Sequence, residues 1–235
     1  MESIRLSPRM EAIAAFIPEG SRVADVGTDH GYIPVWLAQT GRAAAIAATD
    51  INAGPLARAR QSARESGVEA QIRFAQCSGL DFPGSSDYDT VVIAGMGGEL
   101  IASILEAAPW TRQGTLLILQ PNSKIDVLSR WLDAHGYRIE NVRLVKDSGK
   151  LYQVLTAAGG AASGPVTAGE ALANRLYLER QDPLLPEYLD GLIARQRHAL
   201  DGLLKGQNET ERIRETEQIL SELLEMRKET ETWQR

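Results

Sequence analysis

The sequence predicts an α/β fold: a mostly parallel sheet closed by an antiparallel hairpin, followed by a small α-helical, coiled-coil-like C-terminal domain. Three observations carry this. Over the first two thirds, short apolar runs alternate with stretches of helical periodicity. The last two runs are joined by a turn too short for a crossover. Past a Gly/Ala/Ser-rich stretch, the pattern changes to long amphipathic helices. A length of 235 residues accommodates one ordinary α/β domain with an appendage.

The elements follow in order. Runs 21–26, 44–50, 71–76, 89–95 and 114–120 are short, apolar or β-branched, and bounded by Gly, Asp or Pro, so they read as strands. Segments 32–40, 54–66, 98–108 and 123–135 between them carry helical spacing, which gives parallel strands joined by crossover helices. Runs 137–147 and 149–157 flank Asp147-Ser148-Gly149, turn chemistry that makes them an antiparallel hairpin at the sheet edge. Residues 158–169 form a linker, which sets a domain of 1–160 apart from one of 161–235. Beyond it we expect a short helix at 168–180. Leu189, Leu192, Ile193, Leu200 and Leu203 share one stripe of a helix over 187–205. After Lys205–Thr210, a second helix carries Ile213, Ile219, Leu220, Leu223, Leu224 and Trp233. Two such helices with a polar turn make an antiparallel pair that also offers a homodimer surface.

Composition excludes several classes. The single Cys77 rules out a disulfide framework and a cysteine zinc cluster, and fits a reducing, cytoplasmic setting. No apolar run is long enough to span a membrane, and the N-terminal residues lack the pattern of a signal peptide. A net charge of −6 argues against a uniformly basic nucleic-acid binder. Any contact with phosphates therefore falls to local clusters: Arg5 and Arg9 ahead of the first strand, and Arg175, Arg180, Arg195 and Arg197 in the helical region. Most of these charges equally suit solvated helix faces.

The first strand runs into Asp25-Val26-Gly27-Thr28-Asp29-His30-Gly31-Tyr32. Glycines at a strand-to-helix turn admit a ligand close to the backbone. A dinucleotide site needs a second glycine where this chain has Asp29, and a carboxylate there repels a pyrophosphate. The turn suits a ligand carrying an ammonium or sulfonium, such as S-adenosyl-L-methionine, and also reads as a tight turn with a capping Asp. Asp50 ends the second strand, where an acidic side chain accepts ribose hydroxyls or caps the next helix. Ala94-Gly95-Met96-Gly97-Gly98 ends the fourth strand and lets a flat group lie against backbone, with Met96 on the sulfur or base, or plugging the core. Gln120-Pro121-Asn122 ends the fifth. Its two amides are suited to reading a base edge, and Asn122 also to capping a helix. Tyr32, Trp110 and Trp131 are stacking or packing residues.

With these residues in hand the chain resembles class I methyltransferases, and more closely the bacterial tRNA (adenine-22-N1)-methyltransferase family. The resemblance rests on 24–34 (ADVGTDHGYIP), 51–55 (INAGP), 93–101 (IAGMGGELI), 119–122 (LQPN), 150–154 (KLYQV) and the C-terminal helices. It implies a Rossmann-like sheet, S-adenosyl-L-methionine as methyl donor with no metal, and tRNA as partner. It further implies donor contacts from Asp25, Gly27, Thr28, Asp29, His30, Gly31, Asp50, Ile51, Ser78, Gly79, Leu80, Ala94, Gly95 and Met96. Arg5, Arg9, Tyr32, Gly97, Gly98, Gln120, Pro121 and Asn122 fall to the substrate. The family has an Asp where this chain has Ser78, so the adenine amino group meets a neutral acceptor. Adenine N1 already carries a lone pair, so the reaction needs alignment and a negative field rather than a base, which points to Asp29, Asn122 and Met96 as catalytic. Two alternatives stand beside this: a class I methyltransferase acting on a small molecule or protein, and a donor-binding module without activity. An NAD oxidoreductase is excluded by Asp29.

Overall fold

The computed structural model describes residues 4–160, 166–206 and 209–234. Strands β1 (Arg22–Val26), β2 (Ala45–Asp50), β3 (Ile72–Gln76), β4 (Thr90–Gly97), β5 (Leu116–Ser123), β6 (Tyr137–Asp147) and β7 (Lys150–Gly159) form one sheet in the order β3-β2-β1-β4-β5-β7-β6. The first five run parallel, and β7 lies antiparallel between β5 and β6. The strand order reverses between β1 and β4, so a crevice opens at their carboxyl ends, where open α/β sheets bind ligands.

Helices α1 (Pro8–Ala14), α2 (Tyr32–Thr40), α3 (Ala53–Glu65), α4 (Gly98–Glu106) and α5 (Ile125–Ala134) cover the sheet. Two apolar clusters result, one per face. Val23, Leu37, Ile46, Val92 and Ile118 pack with Ile13 and Ile17 on one side. Ile93, Leu117, Leu119, Ile101 and Leu128 fill the other, and that cluster continues into Tyr177, Leu185, Leu189, Leu223 and Met226 of the C-terminal helices. Those helices are α6 (Ala168–Leu172), α7 (Leu176–Glu179) and the long antiparallel pair α8 (Leu185–Leu203) and α9 (Thr210–Thr230).

Three elements differ from the periodicity. The single helix expected over 168–180 is broken into α6 and α7, because Asn174 Oδ1 captures the Leu176 N–H at 2.9 Å and Ala173 is extended. A short polar side chain that binds nearby backbone competes with the helix ladder. The fifth strand runs on to Ser123, which places Gln120, Pro121 and Asn122 within it and starts α5 later. Helix α1, seven residues long and not among the expected elements, buries Ala12, Ile13 and Ala14. Ser7 caps it and Pro8 opens it, while the Ser7 hydroxyl donates to Asp147 at 2.6 Å and ties it to the hairpin. Part of the expected linker, 161–165, lies outside the described residues.

Candidate active site

The crevice holds a cavity of about 490 Å³ at the carboxyl ends of β1, β2 and β4. Its floor begins at β1, where the Gly27 and Thr28 amides both donate to Thr49 O, at 2.8 and 3.0 Å, and sew the turn to β2. Gly27 sits at φ +73°, and a Cβ there would lie 2.1 Å from Met96 Cε. Asp25 beside it is only 6% exposed. Burial pushes its carboxyl up to about 6; Thr28 opposes the rise and the Asp50 charge adds to it. The Thr28 hydroxyl oxygen is sealed from solvent and has no partner at hydrogen-bonding geometry among the described residues. An ionisable acid thus lines the cavity, with the Thr28 hydroxyl sealed beside it. At the end of β2, Asp50 Oδ1 accepts from the Asn52 amide at 2.8 Å, a local turn that leaves Oδ2 without a partner among the described residues.

Asp29 and His30 form the outer rim. Asp29 adopts φ +46°, and Arg58 Nη2 reaches its Oδ1 at 2.7 Å. The Asp29 charge is thereby offset at an exposed position, and the carboxylates in the cavity without a cationic partner among the described residues are Asp50 and, once ionised, Asp25. His30 lies 3.8 Å from Asp29 and stacks on Tyr32, with ring centroids 5.6 Å apart. Ile51, Ser78, Gly79, Ala94 and Gly95 complete the walls.

The opposite wall is a closed ring of hydrogen bonds. Gln120 is fully buried; its Oε1 accepts from Arg9 Nη1 at 2.8 Å and from the Gly95 amide at 3.2 Å. Its Nε2 donates to Pro121 O at 3.1 Å and to Asn122 Oδ1 at 3.0 Å. Asn122 Nδ2 then donates to Gly95 O at 2.9 Å. Gln120 has no polar atom left for a base, so of the two amides only Asn122 lines the cavity. Nor does Asn122 cap α5, since Lys124 occupies that position.

A family model described as a methyltransferase domain matches residues 6–155. The Bacillus subtilis tRNA (adenine(22)-N(1))-methyltransferase is 36% identical over 161 residues, 68% of each chain. The chain belongs to the tRNA (adenine-22-N1)-methyltransferase family. The crystal structure of the B. subtilis m1A22 tRNA methyltransferase superposes with a TM-score of 0.80 at 27% identity, covering 97% of this chain and 98% of that one. A Streptococcus pneumoniae protein in complex with S-adenosyl-L-methionine gives a TM-score of 0.79 at 28% identity, covering 92% and 100%.

In this member of the tRNA (adenine-22-N1)-methyltransferase family, several residues singled out from the sequence sit behind the cavity wall. Gly31 admits α3, where a Cβ would lie 3.0 Å from Ala59 Cβ, and Leu80 is buried in the core. Gly97 and Gly98 serve the contact with the start of α5: a Cβ would lie 3.3 Å from Ser123 Oγ and 2.1 Å from Lys124 O respectively. Pro121 faces a neighbouring cleft, and Arg5 a shallow surface hollow with Glu11, Trp36 and Arg42. Trp131 stacks on His135 and Tyr137, and Trp110 packs against the core. Residues that the sequence reading missed are Met10 and Ile13 of α1, Val26, Ile33, Thr49, Asn52, and Leu100 and Ile104 of α4. The signal for α1 was present in Ser7-Pro8-Arg9, a capping residue followed by proline at the first helical position.

Proposed function

We propose that this chain transfers a methyl group from S-adenosyl-L-methionine to N1 of adenine 22 in tRNA. The carrying observation is the buried Asp25 carboxyl, with the Thr28 hydroxyl sealed beside it, on the floor of a cavity at the sheet's switch point. These groups fit a cationic donor. Asp25 and Thr28 would hold its charged amino-acid end, Asp50 Oδ2 and Ile51 its ribose and adenine, and Ser78 the adenine amino group. When bound, the donor supplies an electrophilic methyl on a sulfonium. The adenine N1 lone pair forms the new bond while the C–S electrons return to sulfur, so no proton need be removed and His30 is not required as a base.

The protein's own contribution is alignment and field. The Gln120 ring fixes Asn122 and Gly95 on the acceptor side of the cavity, and Met96 forms the wall between them and Gly27. Asp29, moderated by Arg58, adds negative potential at the mouth, where positive charge develops on the base. N1 is hidden in a base pair, so the target must be unpaired or turned out of its stack. Tyr32 is 38% exposed at the rim and is the ring we assign to stack on it, with Arg9 beside it. A tRNA substrate supports a cytoplasmic location for the reaction. No helix among the described residues is long and apolar enough to cross a membrane. Exposed Leu204 and Leu224 support a homodimer through the 161–235 region.

The deciding experiment incubates the protein with radiolabelled donor and a tRNA transcript, then identifies the labelled nucleoside. Label in 1-methyladenosine that disappears when adenine 22 is replaced by guanine is the expected result. Label elsewhere moves the chain to another acceptor, and no label overturns the reading.

A further inference from the structure

A second cleft of about 720 Å³ lies between the ends of β5 and β7 and the flank of α8. It adjoins the active-site cavity at two points. Asn122 lines both, and the Arg9 guanidinium of one sits 5.1 Å from the centre of the Tyr152 ring of the other. Three cations line it, Lys124, Lys150 and Arg195, against one acid, Asp126. None of the three makes an ion pair among the described residues, whereas nearby Arg130 and Lys146 are taken by Glu215 and Glu187. In a chain of net charge −6, a concave surface with this excess of unpaired cations stands apart.

The floor of the cleft is neutral and rigid. Gln153 and Tyr188 hydrogen-bond one another and both donate to Leu172 O at 3.1 Å, while Tyr177 donates to Gln153 Oε1 at 3.0 Å. Burial pushes the Tyr188 hydroxyl up to about 12, so no negative charge opposes an anion from below. Lys124 adds an independent mark. It sits at φ +56°, a conformation that favours glycine, yet it carries a long cationic side chain. Its backbone is held there because its carbonyl fills the space over Gly98 and accepts from Leu128 N at 3.1 Å. That accounts for the backbone at 124, not for a lysine.

We propose that this cleft binds backbone phosphates of the RNA strand that flanks the reacting adenine, through Lys124, Lys150 and Arg195. A polynucleotide whose base enters the active-site cavity continues past Asn122 into the cleft, and the phosphodiester is the group that unpaired cations recognise without reading sequence. The inference rests on the tRNA reading of the main site.

The test measures binding of an unmodified tRNA transcript by fluorescence anisotropy across a range of salt concentrations, for the wild type, Lys124→Gly, and Lys150→Ala/Arg195→Ala. Each lost phosphate contact should reduce the magnitude of the log–log salt slope by about 0.7–0.9, which corresponds to roughly five- to eightfold weaker binding at ~0.1 M salt. Lys124→Gly also relaxes the backbone, so its melting temperature should not fall while its affinity does. Donor affinity should be unchanged in both variants. Lys228→Ala, on α9 and lining neither cavity, should bind tRNA as the wild type does. Wild-type affinity and slope in the cleft variants overturn the proposal, as does an equal loss in Lys228→Ala. A wild type that binds tRNA but leaves adenine 22 unmethylated defeats the acceptor reading alone, and the same slopes still decide the cleft.

Discussion

Replacing Asp25 by Asn removes a buried charge while keeping the side chain's volume, and it should move stability and donor binding in opposite directions. Burial raises the carboxyl from 3.8 to about 6, which corresponds to ~3 kcal/mol held against the fold once the group is ionised. The sign follows from proton counts. Between about pH 4 and pH 6 the folded chain keeps a proton that the unfolded chain has released, so rising pH destabilises the fold across that window and no further above it. At pH 7.5 Asp25→Asn should therefore be more stable without donor, by about 1–3 kcal/mol, or a few degrees in melting temperature. Donor binding uses the ionised carboxylate, so wild-type affinity should rise with pH through about 6 and then level off. In Asp25→Asn, loss of a charged hydrogen bond of about 1.5–3 kcal/mol weakens donor affinity roughly ten- to 150-fold. Differential scanning calorimetry at pH 5 and 7.5, with titration calorimetry of the donor, reads both quantities. A variant less stable than the wild type at pH 7.5, or one with unchanged donor affinity, refutes the assignment of Asp25 as a strained, donor-facing acid.

Gln120→Leu keeps bulk but strips the shared acceptor from Arg9 and the Gly95 amide, so it should cost about 2–4 kcal/mol in urea unfolding. The methyl-transfer rate should fall more than donor affinity, and Gln120→Glu, which keeps the acceptor, should restore part of the rate. Gly98→Ala drives a Cβ to 2.1 Å from a backbone oxygen of Lys124 and should destabilise by about 2–4 kcal/mol. Gly97→Ala meets only a serine hydroxyl at 3.3 Å and should unfold within about 1 kcal/mol of the wild type.

Much of the architecture is local information. Alternating apolar runs and helical stripes predict five crossover-linked strands, because each run is short, apolar or β-branched, and bounded by breakers. Asp147-Ser148-Gly149 predicts the closing hairpin for an equally local reason, with Ser148 at φ +50° in the turn. The glycine turn after β1 is legible too, since a carboxylate in place of a glycine changes which ligand charge the loop tolerates.

What the tertiary structure alone decided is which side chains meet. Gln120 and Asn122 look equivalent in sequence, two amides flanking a proline. Packing turns Gln120 inward onto Arg9 and Gly95, residues 111 and 25 positions away, and leaves only Asn122 on the cavity. Asp29 appears as a free carboxylate until α3 brings Arg58 onto it. Likewise, Lys124, Lys150 and Arg195 are scattered charges in the chain and share a cleft only because β5, β7 and α8 converge. Periodicity reports the face on which a residue lies within its own element. Hydrogen-bond partners, burial and the resulting shift of Asp25 depend on contacts between elements, and those follow from strand order and the two apolar clusters that the helices fill on the faces of the sheet.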